Sequence, residues 1–498
     1  MMKKSKVNVD KTGKINYDQF SLTTDLQQNI AIMKEIFIND DTVIYREFTN
    51  HYNEQIKCCA IFIDGMVNTD LINEHIVKPI TEVEIGSARE IATKVIWGND
   101  VKRRIDIADI IKVVLYGDTL ILIDGIAEAI TMNTKGFAYR SISEPDDERV
   151  LRGPREGFTE AIMINLSMIR RKLQTSDLKF SFQSFGTRSN TMACICYLDS
   201  LVNKDVLADL EKRLSKISDD GFFSTNPIDE LIKDSPFSIF KTAGTTEKPD
   251  VVAAKLLEGR VAVILDGTPV VLTVPYLFIE NFQSPDDYYT NFFYSSFGRL
   301  LRIFGFIVSI SIPAIYVSLA GFHKEMIPTP FLLSIAAATK GVPFPVIIEC
   351  ILLIGMFEVL REAGVRMPNK IGQALSIVGA LVIGQSAVEA KIISAPVVIV
   401  IATAGITGLM LPRLASAIII LRLALLLFSA FLGLYAYVFF LIGLIIYLLS
   451  LQSYGISYMS GFMAKPSNLT DIYIRAPKAF QQKRPIGLSA DVERRTST

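Results

Sequence analysis

Residues 414–451 read LASAIIILRLALLLFSAFLGLYAYVFFLIGLIIYLLSL and decide the class of this protein. These 38 residues contain one charged side chain, Arg422. As a single helix they would extend about 57 Å, whereas about 20 apolar residues cross the roughly 30 Å of bilayer hydrocarbon. We therefore predict a break at Gly433 and a hairpin of two membrane spans.

Further apolar runs indicate a multi-pass helical region around this hairpin. They are Ile303–Phe322, Ile371–Val388 and Ile392–Leu411. Charge divides the chain at the same place, with 17 Lys+Arg against 8 Asp+Glu after Gly298 and 34 against 43 before it. The overall charge is zero and gives no reason to expect a nucleic-acid partner. The pattern predicts an all-α transmembrane domain over residues 299–452, with about six spans and four to six possible.

The distribution of Lys and Arg predicts the orientation of these spans. The connections expected inside the cell contain most of the basic residues: Arg299, Arg302, Arg361, Arg366, Lys370 and Arg413. The connections expected outside contain Lys324 and Lys391. By the positive-inside rule, the first part of the chain and a basic tail, residues 453–498, are cytoplasmic. The N-terminal extension, residues 1–40, has no apolar segment of a secretory signal.

The soluble part contains a diverged internal duplication. CAIFIDGMVNTD, residues 59–70, matches CICYLDSLVNKD, residues 194–205, and Asp124-Gly125 matches Asp266-Gly267. Strand-like and helical patterns alternate in both copies, so we predict an α+β or α/β fold with two subdomains, residues 40–140 and 175–298. The Asp-Gly pairs follow apolar runs and predict turns.

The connector between the copies, residues 141–174, is rich in charge and ends in an amphipathic helix. Arg152, Arg155 and Glu156 could contact a partner subunit or could pair among themselves. The three histidines are scattered, and none of the common catalytic, cofactor-binding or metal-binding motifs is present in the sequence. We expect no enzyme activity, no cofactor and no metal.

Three charges stand out in the apolar region, Glu349, Glu358 and Arg422, because ionised groups are costly in hydrocarbon. Glu358 lies near the inner interface, close to Arg361 and Glu362, and is expected to extend its side chain to that interface. The other two are candidates for a functional site. Glu349 and Arg422 lie at similar distances from the inner ends of their predicted spans. They could form an intramembrane ion pair or contribute to a pore or gate, unless one of the spans is misplaced.

The third predicted span presents a stripe of mostly small side chains at spacings of three and four residues. Its members are Gly372, Ser376, Gly379, Ile383 and Ser386. Such a stripe either packs closely against another helix or lines a narrow wet pathway in an oligomer.

Several long stretches of the chain are similar to the A subunits of GerA-type nutrient germinant receptors of endospore-forming bacteria. They include VLRGPREGFTE at 150–160, PDVVAAKLLEGR at 249–260, QSPDDYY at 283–289, FEVLREAGVRMP at 357–368 and GQSAVEA at 384–390. The resemblance implies a multi-pass protein of the spore inner membrane that acts with a transporter-like B subunit and a lipoprotein C subunit. It further implies a homo-oligomeric, ligand-gated ion channel that starts germination. The alternative is a non-conducting scaffold that assembles the receptor.

Overall fold

The computed structural model of the chain describes residues 8–9, 15–84, 91, 96, 100–136, 148, 152–366, 384–460, 471–481, 484 and 488–489. A short antiparallel pair, β1 (Asn8–Val9) and β2 (Ile15–Asn16), precedes the first helix. Two five-stranded sheets follow. The strands of the first are β3 (Val43–Thr49), β4 (Lys57–Ile63), β5 (Val101–Arg104), β6 (Asp118–Ile123) and β7 (Ala129–Asn133). The strands of the second are β8 (Leu178–Phe185), β9 (Thr191–Leu198), β10 (Gly244–Thr246), β11 (Val261–Leu265) and β12 (Val271–Val274).

The two sheets have the same topology, which confirms the predicted duplication. The first has the order β3-β4-β6-β7-β5, and the second has the order β8-β9-β11-β12-β10. In each sheet the third strand in chain order lies at the edge, next to the fifth strand. Every pairing within the two sheets is antiparallel, so the soluble part is α+β.

Helices cover both faces of each sheet, so apolar side chains on both faces are buried. In the first subdomain they are α1 (Leu26–Ile36), α2 (Thr69–Ile72), a π-helical turn (Asn73–Val77), α3 (Lys78–Glu82) and α4 (Ile107–Leu115). In the second they are α5 (Ile162–Lys172), α6 (Lys204–Leu214), α7 (Thr225–Ile232) and α8 (Pro249–Leu257). The polar caps Asn68 and Asn203 begin α2 and α6 by accepting backbone N–H bonds.

The predicted Asp-Gly turns are present, and their aspartates have a second role. Gly125 and Gly267 both have φ of +85°, a conformation that favours glycine. The Asp124 carboxylate accepts a hydrogen bond from the Leu26 N–H at 3.1 Å, and Asp266 accepts one from the Ile162 N–H at 3.0 Å. Each aspartate therefore fixes the start of the first helix of its own repeat.

This repeated contact corrects the predicted domain bounds. Helix α1 begins inside the predicted extension 1–40, and α5 lies inside the predicted connector 141–174. Both helices pack on their sheets and open a repeat. A helix was predicted in the connector, but neither it nor α1 was assigned to a repeat, because both helices are distant in sequence from Asp124 and Asp266, which accept their N–H bonds.

A buried ion pair joins the two repeats. The Arg170 guanidinium lies 2.5 Å from the Asp40 carboxylate, and both side chains are almost completely excluded from solvent. Arg170 also donates to the Thr42 hydroxyl at 3.2 Å and stacks over Phe180, 4.6 Å from the ring centroid. A planar guanidinium suits this combination of ion pair and aromatic contact. The subdomains are thus joined by a specific polar contact as well as by chain continuity.

The second part of the structure is helical. Its helices are α9 (Phe292–Gly321), α10 (Thr329–Thr339), α11 (Val346–Arg366), α12 (Ala395–Leu409), α13 (Ala415–Leu432) and α14 (Leu434–Ser450). Gly433, with φ of +62°, separates α13 from α14, so the predicted break is confirmed. An added Cβ there would lie 2.9 Å from the Phe322 side chain, and the turn therefore packs tightly against the end of α9.

The prediction of about six membrane spans is corrected. Among the described residues, two helical segments are long and apolar enough to cross a bilayer: Phe292–Gly321 and Pro412–Leu432. Helices α10, α12 and α14 are apolar but have 11, 15 and 17 residues. Helix α11 has the length of a span but contains several acidic and basic residues, including Glu349 and Glu358. The third predicted span lies largely outside the described residues.

The last described residues return to the soluble part. A two-stranded hairpin, β13 (Gln452–Ser453) and β14 (Ile456–Ser457), follows α14 directly. Ser489 forms a β-bridge with Val202. Leu488 is fully buried in a core that also contains side chains of α9 and α14. The described parts of the predicted basic tail are therefore packed against the second subdomain.

Candidate functional site

One hydrophobic core is shared by the second subdomain and the helical part. It contains Phe240 and Phe278 from the soluble side, Phe306 from α9, and Leu444 and Leu448 from α14. The ring centroids of Phe278 and Phe306 lie 6.0 Å apart, and those of Phe240 and Phe278 lie 5.7 Å apart. Edge-to-face aromatic pairs of this kind favour a defined geometry. The subdomain and the helices are therefore joined by direct packing.

A buried network of charged side chains adjoins this core. Glu280 lies 2.5 Å from Arg260 and 3.2 Å from Lys255, and it accepts the Leu277 N–H at 2.7 Å. Burial alone would raise the pKa of Glu280, but the two cations and this hydrogen bond hold it below its ordinary value. Burial lowers the pKa of Lys255, against the opposing effect of Glu280. The carboxylate is therefore ionised and matched by its neighbours at neutral pH.

Arg413 connects this network to the start of a candidate span. It lies in the turn before α13 and donates to the Glu280 carbonyl at 3.3 Å. Its other terminal nitrogen lies 2.7 Å from the carboxylate of Glu148, which also accepts hydrogen bonds from Thr246 and from the Glu247 N–H. A movement of the second subdomain would therefore act directly on the first turn of α13.

Two further arginines fix the start of α9. Arg299 is fully buried and lies 3.0 Å from Asp287 and 2.9 Å from Asp471. Arg302 lies 2.5 Å from the same Asp287 oxygen and donates to the Phe282 carbonyl at 2.7 Å. Sequence reasoning used these arginines only to orient the spans. In the structure they attach α9 to the soluble part and to the C-terminal segment.

Arg422 lies among four helices. Its guanidinium donates to the Ser309 carbonyl and hydroxyl of α9, at 2.9 and 2.7 Å, and to the Ala404 carbonyl of α12 at 2.8 Å. Its remaining terminal nitrogen lies 3.7 Å from Glu358 of α11. Gly408 makes this approach possible, because an added Cβ would meet both the arginine and Ser309 at 3.0 Å. One side chain on α13 thus holds the helices together in the apolar region.

The predicted ion pair between Glu349 and Arg422 is wrong. Glu349 accepts hydrogen bonds from the Ser394 N–H and hydroxyl, at 2.6 and 2.7 Å, where α12 begins. A carboxylate is favoured at a helix N-terminus. Counting residues from the inner end gave depth but not the direction of the long arginine side chain, which extends toward Glu358. Glu358 also pairs with Arg361 at 2.9 Å.

The other predicted site residues are only partly described. Gly372, Ser376, Gly379 and Ile383 lie outside the described residues, and Ser386 lies at an exposed position in 384–389. In the connector, Glu156 pairs with Lys172 at 2.9 Å and with Arg171 at 3.8 Å, both on α5. Arg152 and Arg155 are exposed. The structure therefore brings none of these described residues to Arg422.

A signal for the missed residues was present in the sequence. Arg260 and Asp287 lie within the stretches quoted above for their family resemblance. Their partners could not be read from one sequence, since each pair joins elements that are separate along the chain.

The fold defines a class of protein. A duplicated α+β part continues into helices whose outer faces bear large exposed apolar side chains, such as Phe431 on α13 and Phe439 on α14. Soluble monomers rarely expose such apolar surfaces. The usual environment of these surfaces is lipid. Together with the two candidate spans, this indicates a membrane-associated protein with a large water-exposed part.

The family follows from comparison with known proteins. The profile of the Bacillus/Clostridium GerA spore germination protein family matches residues 31–486, and the chain belongs to this family. Spore germination protein KA of Bacillus subtilis (strain 168) is 38% identical over 477 residues, which cover 94% of this chain and 88% of that protein. Spore germination protein GerLA of Bacillus cereus is 35% identical, with 86% and 89% covered.

Two further proteins are similar to this chain. YfkQ of Bacillus subtilis (strain 168), an uncharacterized membrane protein, is 35% identical, with 93% of this chain and 91% of that protein covered. The crystal structure of the N-terminal domain of the A subunit of the Bacillus megaterium spore germinant receptor GerK3 aligns with 28% identity and a TM-score of 0.41. It covers 52% of this chain and 98% of that chain.

Proposed function

We propose that the chain is the A subunit of a nutrient germinant receptor in the spore inner membrane and that it converts nutrient binding into ion release. In this proposal several copies surround a gated pathway, and a transporter-like B subunit and a lipoprotein C subunit complete the receptor. The duplicated domain and the C-terminal segment face the spore core. The membership of the GerA family supports the role in germination.

One observation carries the mechanism: the core shared by the second subdomain, α9 and α14. A ligand can shift a conformational equilibrium only if it binds two states differently. A partner that binds nutrient and contacts the soluble part can bias the helices without new contacts in the membrane, because subdomain and helices form one packed body. Arg413 and Arg299 transmit the same movement to the starts of α13 and α9.

The test is nutrient-dependent ion leak from cells or vesicles that contain the chain with its B and C partners. Ser376→Leu and Gly379→Leu, in the third predicted span, should change ion selectivity or gating while the abundance of the complex stays constant. Gly443→Leu on α14 is the matched control, because an added Cβ there meets no atom within 4 Å.

Each outcome has a distinct meaning. Altered selectivity in the stripe variants with normal Gly443→Leu leak supports a conduction path through the third predicted span. An unchanged leak in assembled receptors assigns the stripe to helix packing. If wild-type receptors show no nutrient-dependent leak, the channel proposal fails and a non-conducting scaffold is favoured.

A further inference from the structure

A loop of the second subdomain presents a phenylalanine to the outside. The Phe237 side chain is 100% exposed. A single exposed apolar residue needs no explanation by itself. Two features of this loop, residues 233–241, distinguish Phe237 from other exposed apolar residues: the position of the loop and its internal hydrogen bonds.

The loop is held at the level where α14 ends. Phe240, three residues after Phe237, is buried with its ring 6.3 Å from Tyr447 in the last turn of α14. Ile239 packs against the same shared core. Three extended residues span at most about 10 Å, so Phe237 lies within that distance of Phe240, whose ring contacts the last turn of an apolar helix.

Hydrogen bonds fix the loop in one conformation. The Ser238 N–H donates to the Ser235 carbonyl, and the Ser238 side chain bonds both to the Phe240 carbonyl and to its N–H, each at 3.1 Å. At the start of the loop, Asp234 lies 2.5 Å from Arg213 and accepts the Tyr454 N–H at 2.7 Å. The exposure of Phe237 is therefore a feature of an ordered turn.

Within the loop itself, the acidic side chain is paired and one lysine is exposed. Asp234 pairs with Arg213, and Lys233 pairs at 3.4 Å with Asp229 of the preceding helix α7, where Glu230 is exposed. Lys241 is exposed on the other side of Phe240. An exposed apolar ring four residues before an exposed lysine in the same loop matches the boundary between acyl chains and anionic headgroups.

We infer that loop 233–241 inserts Phe237 into the interfacial layer of the bilayer that α14 enters. The occupant of this surface is lipid, because the loop packs against the last turn of an apolar helix whose own outer face bears Phe439. The contact anchors the second subdomain to the membrane surface beside the helices. The inference rests on the membrane assignment in the proposed function.

The test uses tryptophan fluorescence of the full chain in nanodiscs of anionic lipid, with and without bromine on the acyl chains. The chain has one tryptophan, Trp97, which is first changed to phenylalanine. Phe237→Trp should then give blue-shifted emission that brominated lipid quenches. Phe223→Trp is the matched control, since Phe223 is 83% exposed. The carbonyl of the neighbouring residue, Phe222, accepts a hydrogen bond from Thr191. Thr191 and Val274 lie at opposite ends of the second sheet.

A third variant separates this inference from the membrane assignment. Phe439→Trp, at a 72% exposed position on α14, should be quenched strongly if the helix lies in lipid. Quenching of the Phe439→Trp and Phe237→Trp variants without quenching of Phe223→Trp supports the inference.

Two other results overturn it. In the first, the Phe439→Trp variant is quenched, but the new indole of Phe237→Trp stays accessible to aqueous iodide or Phe223→Trp is quenched equally. The loop then does not enter the bilayer. In the second, the Phe439→Trp variant is not quenched. The membrane assignment itself then fails, and the inference fails with it.

Discussion

Glu280→Ala should lower the melting temperature of the chain by roughly 10 °C, because removing one partner of a buried ion pair costs about 3–5 kcal/mol. The substitution leaves Arg260 and Lys255 buried side by side without their shared carboxylate. It also removes the acceptor of the Leu277 N–H, at the point where the chain turns toward α9. Glu280→Gln should have a smaller effect, since the amide oxygen can keep that hydrogen bond.

The melting temperature can be followed through the natural cysteines. All five are buried, so a thiol-reactive dye reports the opening of both parts of the chain in detergent. Asp220→Ala is the matched control: it removes a carboxylate from a pair with Arg188 whose side chains are 76% and 84% exposed. Such surface pairs contribute little. Equal melting temperatures of Glu280→Ala and the control would show that the charged network does not stabilise the contact between the second subdomain and the helices.

The same variant should uncouple the receptor. Arg413 reaches the Glu280 carbonyl, so a disordered turn at Glu280 weakens the connection between the second subdomain and α13. At a temperature where the complex is still assembled, we expect nutrient to release ions more slowly than in wild type.

Arg422→Leu should destabilise the helical part, with a fall of roughly 5–10 °C in the same measurement. The effect is smaller than at Glu280 because Glu358 keeps a second partner, Arg361. Loss of Glu280 instead removes the carboxylate of both Lys255 and Arg260 at once, and of these two cations only Arg260 stays paired among the described residues, with Glu258. The lost donors to Ser309 and Ala404 nevertheless release α9 and α12 from α13. Arg422→Lys should fall between Arg422→Leu and wild type, because an ammonium keeps the charge but not the forked geometry.

A second substitution tests whether charge is the cause. Adding Glu358→Gln to Arg422→Leu removes the carboxylate that has lost a partner, and part of the stability should return. Arg366→Leu is the control on α11, where the arginine is 77% exposed and pairs with Glu362 one turn away. Wild-type melting of Arg422→Leu would mean that the four-helix contact contributes nothing to stability.

The sequence predicted the local features of the fold and missed the contacts between elements. Repeated Asp-Gly pairs predicted the duplication, and the length of the run from Leu414 to Leu451 predicted the break at Gly433. Both signals lie within short segments. The caps that Asp124 and Asp266 give to α1 and α5 join residues about a hundred positions apart. No periodicity records them.

The candidate site shows the same limit. Buried charge correctly drew attention to Arg422 and Glu349, because ionised side chains in apolar helices require partners. The choice of partner depends on helix rotation and on side-chain reach, neither of which follows from depth. Glu349 therefore accepts hydrogen bonds from Ser394, and Arg422 lies 3.7 Å from Glu358. Glu280 was missed since nothing in an acidic soluble domain marks one charge as buried, and the family resemblance around Arg260 did not indicate its partner.

Rigid coupling between the second subdomain and the helices is tested most directly by a distance. Spin labels at Arg188→Cys in the second subdomain and Glu325→Cys beyond the end of α9 would report it in assembled receptors, because both positions are exposed and the natural cysteines are buried. Coupling through the shared core predicts the same distance distribution with and without nutrient, in a sample whose ion leak responds to nutrient. A shift of that distribution on adding nutrient would show that the soluble part moves independently of the helices and would contradict it.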